Sequence, residues 1–69
     1  MEEGWIKVYS TDKAYQADIA LEVLEENDIV GVILNKKDSS NITFTGVTEL
    51  YVNQTDALKA KEIIKTSGL

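Results

Sequence analysis

Trp5-Ile6-Lys7-Val8-Tyr9-Ser10-Thr11-Asp12, near the start of the chain, passes from one periodicity to another. Up to Tyr9 the residues alternate, which predicts a β-strand with Ile6 and Val8 on one side and Trp5, Lys7 and Tyr9 on the other, the lysine marking the outer face. Ser10, Thr11 and Asp12 are candidate helix N-caps, because a short side-chain oxygen there accepts a free first-turn N–H. Beyond them, to about Asn27, Ala14, Ala17, Ala20, Leu21 and Leu24 fall on one stripe of a helix, with Asp18, Glu22, Glu25 and Glu26 on the solvent side. The small alanines let this helix approach a sheet closely. Tyr15, Ile19 and Val23 form a second apolar row, which widens the core contact, rests on the second helix or serves as a contact surface.

Residues 29–35 are β-rich and apolar on both faces, a second strand whose inward side the periodicity leaves open. Residues 36–41 are polar and turn-forming, and Ile42-Thr43-Phe44-Thr45 alternates again before Gly46, as a bulge in a long hairpin or the end of a loop. Residues 47–52 read as the third strand, with Glu49 outside between Val47 and Tyr51, and Leu50 and Val52 inward. Asn53, Thr55 and Asp56 open a second helix that reaches about Thr66, buries Ala57, Ala60 and Ile64 with Ile63 at the margin, and closes at Gly68.

The expected class is α+β, a single domain over residues 1–69: a ferredoxin-like split βαββα sandwich lacking the fourth strand, its three-stranded sheet carrying both helices on one face. Right-handed crossovers place the first and third strands side by side. The missing strand would lie beside the first, so that edge is expected to be open and to favour a homodimer through the first strand or the aromatic face next to it.

A chain of 69 residues with no cysteine and no histidine has neither disulfides nor a cysteine–histidine zinc ligand set to support a small core, which leaves association with another chain. Met1 is followed by Glu2 and Glu3 rather than by a basic and then apolar stretch, and the longest apolar run is too short to span a bilayer, so a cytoplasmic location without membrane contact is expected. Twelve acidic residues against seven lysines give a formal charge of −5. That balance repels phosphate backbones, and the absence of arginine removes the bidentate fork used for phosphate and guanine.

No nucleophile, base or metal set stands out. Ser39 and Ser40 lie near Lys36 and Lys37, but turns are rich in serine for conformational reasons. The carboxylates Asp18, Glu22, Glu25, Glu26 and Asp28 radiate from a helix rather than converging as a hard cation requires. No enzyme activity, cofactor or metal is therefore expected. Trp5, Tyr9 and Tyr51 are expected on the sheet face that the helices leave uncovered, with Lys7 and Glu49 pairing across the strands. Trp5, Lys7, Tyr9, Glu49 and Tyr51 make up the candidate interaction surface. Stacking of single-stranded nucleic acid on such a face is the alternative, which the charge opposes.

Lys7-Val8-Tyr9, Ala17, Leu21, Leu24, Ile29, Asn35, Gly46-Val47, Leu50-Tyr51-Val52, Asp56-Ala57, Ala60 and Ile63-Ile64 together resemble a family of small bacterial domains, the putative prokaryotic signal-transducing proteins. The family is a domain of unknown function whose fold is similar to that of the PII regulatory proteins. Asp28 stands where the family commonly has glycine after the first helix, and the segment before Gly46 is rich in serine and asparagine rather than glycine. The resemblance implies that the connection between the second and third strands is regulatory, which here places Lys36, Lys37, Asp38, Ser39, Ser40, Asn41 and Phe44 in a candidate regulatory loop. The reading is a non-enzymatic regulatory or interaction module, signal-transducing, self-associating through its sheet, with a protein partner or a small-molecule ligand.

Overall fold

Strand β1 spans Trp5–Thr11, helix α1 Ala14–Glu26, strand β2 Gly31–Lys36, strand β3 Val47–Asn53 and helix α2 Ala57–Thr66 in the computed structural model, which describes residues 4–36 and 46–69. The sheet order is β1-β3-β2, with β3 antiparallel to both neighbours. Residues on β1, β3 and both helices share one core, so the helices cover a single face. This is the expected α+β class and strand order.

The core follows from the small residues of the helices. Ala17, Ala20 and Ala60 are wholly buried, and Leu24, Ile29, Leu50 and Val52 fill the space between layers. Leu21 lies at the margin and Ala14 is exposed, so the expected stripe is narrower at its ends. Gly31 stands under α1. A Cβ there would come 2.8 Å from Leu21 Cδ1 and 3.1 Å from Leu50 Cδ1, so the absence of a side chain lets helix and strand meet. With Gly31 inward opposite Val52 and Ile33 opposite Leu50, the orientation of β2 is fixed: Val32 and Leu34 face out.

Three expectations are corrected. First, β1 continues through Ser10 and Thr11, so neither caps α1. The helix begins after Lys13 without a side-chain cap, and the Thr11 hydroxyl instead accepts a hydrogen bond from the Lys13 N–H at 3.1 Å, turning the chain into the helix. Second, β2 begins at Gly31 rather than at Ile29, which is spent on closing α1.

Third, Tyr9 does not share a face with Trp5 and Lys7. Lys7 pairs with Tyr51 and Tyr9 with Leu50, leaving Val8 as an extra residue in a β-bulge. Two residues against one shift the alternation by one step. Val8 and Tyr9 both pack toward the core, and the Tyr9 hydroxyl donates to Gln16 Oε1 on α1 at 3.5 Å.

Helix α1 ends at a left-handed residue. Asp28 has φ +63°, the Asp28 N–H donates to the Glu25 carbonyl at 3.0 Å, and the Ile29 N–H donates to the Leu24 carbonyl at 3.0 Å. This pair of bonds is the Schellman arrangement, and the buried contact it favours between the residues flanking the turn is supplied by Leu24 and Ile29. The aspartate occupies a conformation that glycine adopts freely. At the start of α2 the Asn53 side chain accepts from the Thr55 N–H at 3.1 Å, capping a 3₁₀ turn, Gln54–Asp56, that leads into the helix.

Candidate functional site

The uncovered face of the sheet is built in rows by the strand register. Lys7, Tyr51 and Val32 form one row, Ser10, Glu49 and Leu34 the next, with Trp5 beside Asn53 beyond the first. Val47, Val32 and Leu34 are 37%, 38% and 36% exposed, and Trp5 and Tyr51 are half-buried. The face is thus an apolar surface with a polar centre.

That centre is Glu49, whose side chain is only 8% exposed although it points away from α1 and α2. A carboxylate withdrawn from water needs compensating partners. Lys7 Nζ lies 3.4 Å from Glu49 Oε2, and the Tyr51 hydroxyl donates to Glu49 Oε1 at 2.9 Å. The expected Lys7–Glu49 pair forms on a diagonal, since Lys7 stands directly opposite Tyr51. The hydrogen bond to Glu49, then desolvation, then the nearby negative charge hold the Tyr51 phenol above its ordinary pKa. Losing its proton would break the bond and set two anions side by side.

Trp5, Lys7, Glu49 and Tyr51 are therefore gathered on one face, and Tyr9 is not among them. Lys36 ends β2 opposite Val47. The Lys36 side chain, and all of Lys37, Asp38, Ser39, Ser40, Asn41 and Phe44, lie outside the described residues. The sequence reading left Val32 and Leu34 unassigned. Their signal is Gly31: in a strand packed under an alanine-rich helix, the residue without a side chain marks the inward register, and its neighbours then face out. No group of three or more histidine, cysteine, aspartate or glutamate side chains converges among the described residues. None of their helices is long and apolar enough to cross a membrane.

The architecture is that of a small α+β domain with helices on one side of an antiparallel sheet and a partly apolar, open face on the other. The chain belongs to the family described as putative prokaryotic signal transducing protein, whose family model matches residues 5–68. No curated protein and no solved structure matches it.

Proposed function

We propose that this domain is a non-enzymatic, cytoplasmic signalling module that acts by contact, taking a protein partner, a second copy of itself included, on the open face of its sheet. The observation that carries this reading is the composition of that face. In a chain of net charge −5, its two charged side chains among the described residues, Lys7 and Glu49, neutralise one another, and Trp5, Tyr51, Val32, Leu34 and Val47 surround them. Interfaces between proteins are depleted of charge at their centre and enriched in Trp and Tyr. Single-stranded nucleic acid is a poorer match, because Tyr9 turns inward and the Lys7 cation is engaged by Glu49.

Self-association through the sheet is better supported at the face than at the β1 edge. A bulge and a lysine both interrupt that edge, and both are devices that discourage strand addition. Residues 36–45, the PII-like regulatory segment of this reading, join the strands that carry Leu34 and Val47, so a ligand or partner held there acts on the face through the chain itself.

Trp5→Ser and Leu34→Ser test the reading by sedimentation across a concentration series. Both residues lie outside the buried core, so each variant is expected to stay folded and to lose one level of assembly. Undiminished association in both variants, or Trp5 fluorescence that does not change with protein concentration, would refute contact through this face.

A further inference from the structure

The helix layer, on the opposite side of the sheet, is charged in two halves. Helix α1 exposes Asp18, Glu22, Glu25 and Glu26 and contains no basic residue, a net of −4. Helix α2 exposes Lys59, Lys61 and Lys65 against Glu62, a net of 3 − 1 = +2. These groups do not neutralise each other within the chain: Lys7–Glu49 is the only ion pair among the described residues. Nor does helix stability account for the pattern on α1. Glu25 and Glu26 sit in its last turn, where the helix dipole disfavours negative charge.

Exposed apolar side chains lie on the same stripes. Tyr15, Ile19, Glu22 and Glu26 recur at helical spacing along α1, with Tyr15 60% and Ile19 44% exposed. Leu58, Lys61 and Lys65 do the same along α2, and Leu58 is 82% exposed. Each helix thus presents an apolar and charged ridge of opposite sign to the other.

From this we infer that a second copy docks on the helix layer across a two-fold axis running along the groove between the helices, so that α1 of each copy lies on α2 of the other. A two-fold contact must be self-complementary, with every pairing made twice. Of the two-fold axes in the plane of the layer, two keep the helices of the two copies aligned. The axis across the helices stacks α1 on α1, setting four carboxylates against four. The axis along the groove sets the −4 helix on the +2 helix, twice over, and charge complementarity selects it. Tyr15, Ile19 and Leu58 supply the apolar area. This contact is independent of the one proposed for the sheet, because it uses the other face of the molecule.

The arrangement makes a test by exchange of charge. The Asp18→Lys/Glu22→Lys/Glu26→Lys protein, which takes α1 from −4 to +2, and the Lys61→Glu/Lys65→Glu protein, which takes α2 from +2 to −2, change only exposed positions. Each alone confronts like charges across both halves of the contact, and its homodimer is expected to weaken about tenfold or more at low salt. Mixed one to one, the two variants restore opposite charges on both halves, so a heterodimer of about wild-type affinity is expected in native mass spectrometry and sedimentation. Circular dichroism and thermal melting establish that each variant is folded. Variants that self-associate as tightly as the wild type, a mixture no tighter than its components, or a wild type monomeric at high micromolar concentration would each overturn the inference. The Trp5→Ser and Leu34→Ser proteins separate the two surfaces: they are expected to leave the charge-exchange result unchanged even if the sheet contact does not exist.

Discussion

Replacing Asp28 by glycine is expected to stabilise the protein. Asp28 holds φ +63° at the end of α1, a region in which an ordinary side chain costs roughly 1–2 kcal/mol and aspartate somewhat less. Glycine removes that strain, but its unfolded chain is freer, which returns about 0.5–1 kcal/mol. The carboxylate also adds negative charge at the C-terminal end of α1, beside Glu25 and Glu26, and its removal relieves about 0.3–1 kcal/mol. The balance is a gain of about 0.5–1 kcal/mol, a rise of roughly 2–8 °C in Tm for a domain this small. Urea unfolding should show a higher midpoint with an unchanged slope, since neither state changes its exposed surface much. Asp28→Asn isolates the charge, and Asp28→Ala isolates the backbone. At high salt, with the charge screened, the expected order of stability is Gly, Asn, Asp, Ala. If Asp28→Gly proved no more stable than Asp28→Ala there, the left-handed helix end described here would be wrong.

Leu24→Ala should cost about 2–5 kcal/mol, because Leu24 is wholly buried and leaves a cavity, whereas half-buried Leu21→Ala should cost less; equal losses in denaturant unfolding would contradict the packing. Gly31→Ala should cost about 1–3 kcal/mol through crowding of Leu21 and Leu50. Combining it with Leu21→Ala should cost less than the sum of the two, a coupling that a double-mutant cycle measures. The Tyr51 phenolate, followed by its absorbance, should form only above the ordinary value of about 10, and Glu49→Gln should bring it down. Because the folded-state value is the higher one, the stability that this bond contributes is fully present below pH of about 10 and is lost as pH rises through the folded-state value. Tyr51→Phe should remove that alkaline loss.

Much of the fold was legible because it rests on alternation and helical spacing. Leu50 and Val52 inward, Glu49 and Tyr51 outward, and Ala60 and Ile64 under the sheet all follow from counting. The Lys7–Glu49 pair followed from placing two outer residues on adjacent strands. Tyr9 was illegible for a specific reason: the bulge is made by Val8, an ordinary strand former, and no glycine or proline announces the change of step. Ser10 and Thr11 carry the side chains of helix caps, but pairing with Glu49 and Thr48 holds them in the ladder. The burial of Glu49 was equally hidden, since a glutamate on an outer face reads as solvated until its neighbours are known.

The bulge at Val8 also gives β1 slack. The strand has one residue more than its ladder has places, so removing Val8 leaves Lys7 opposite Tyr51 and Tyr9 opposite Leu50. A deletion between other paired residues of β1 would instead slide one half past β3 and turn its side chains to the wrong layer. The two halves of the strand are thereby decoupled: Tyr9 and Thr11 stay tethered to α1 through Gln16, while Trp5 and Lys7 belong to the open face. A relative shortened by that one residue would keep both layers and lose only the irregularity, presenting a straight first edge guarded by Lys7 alone.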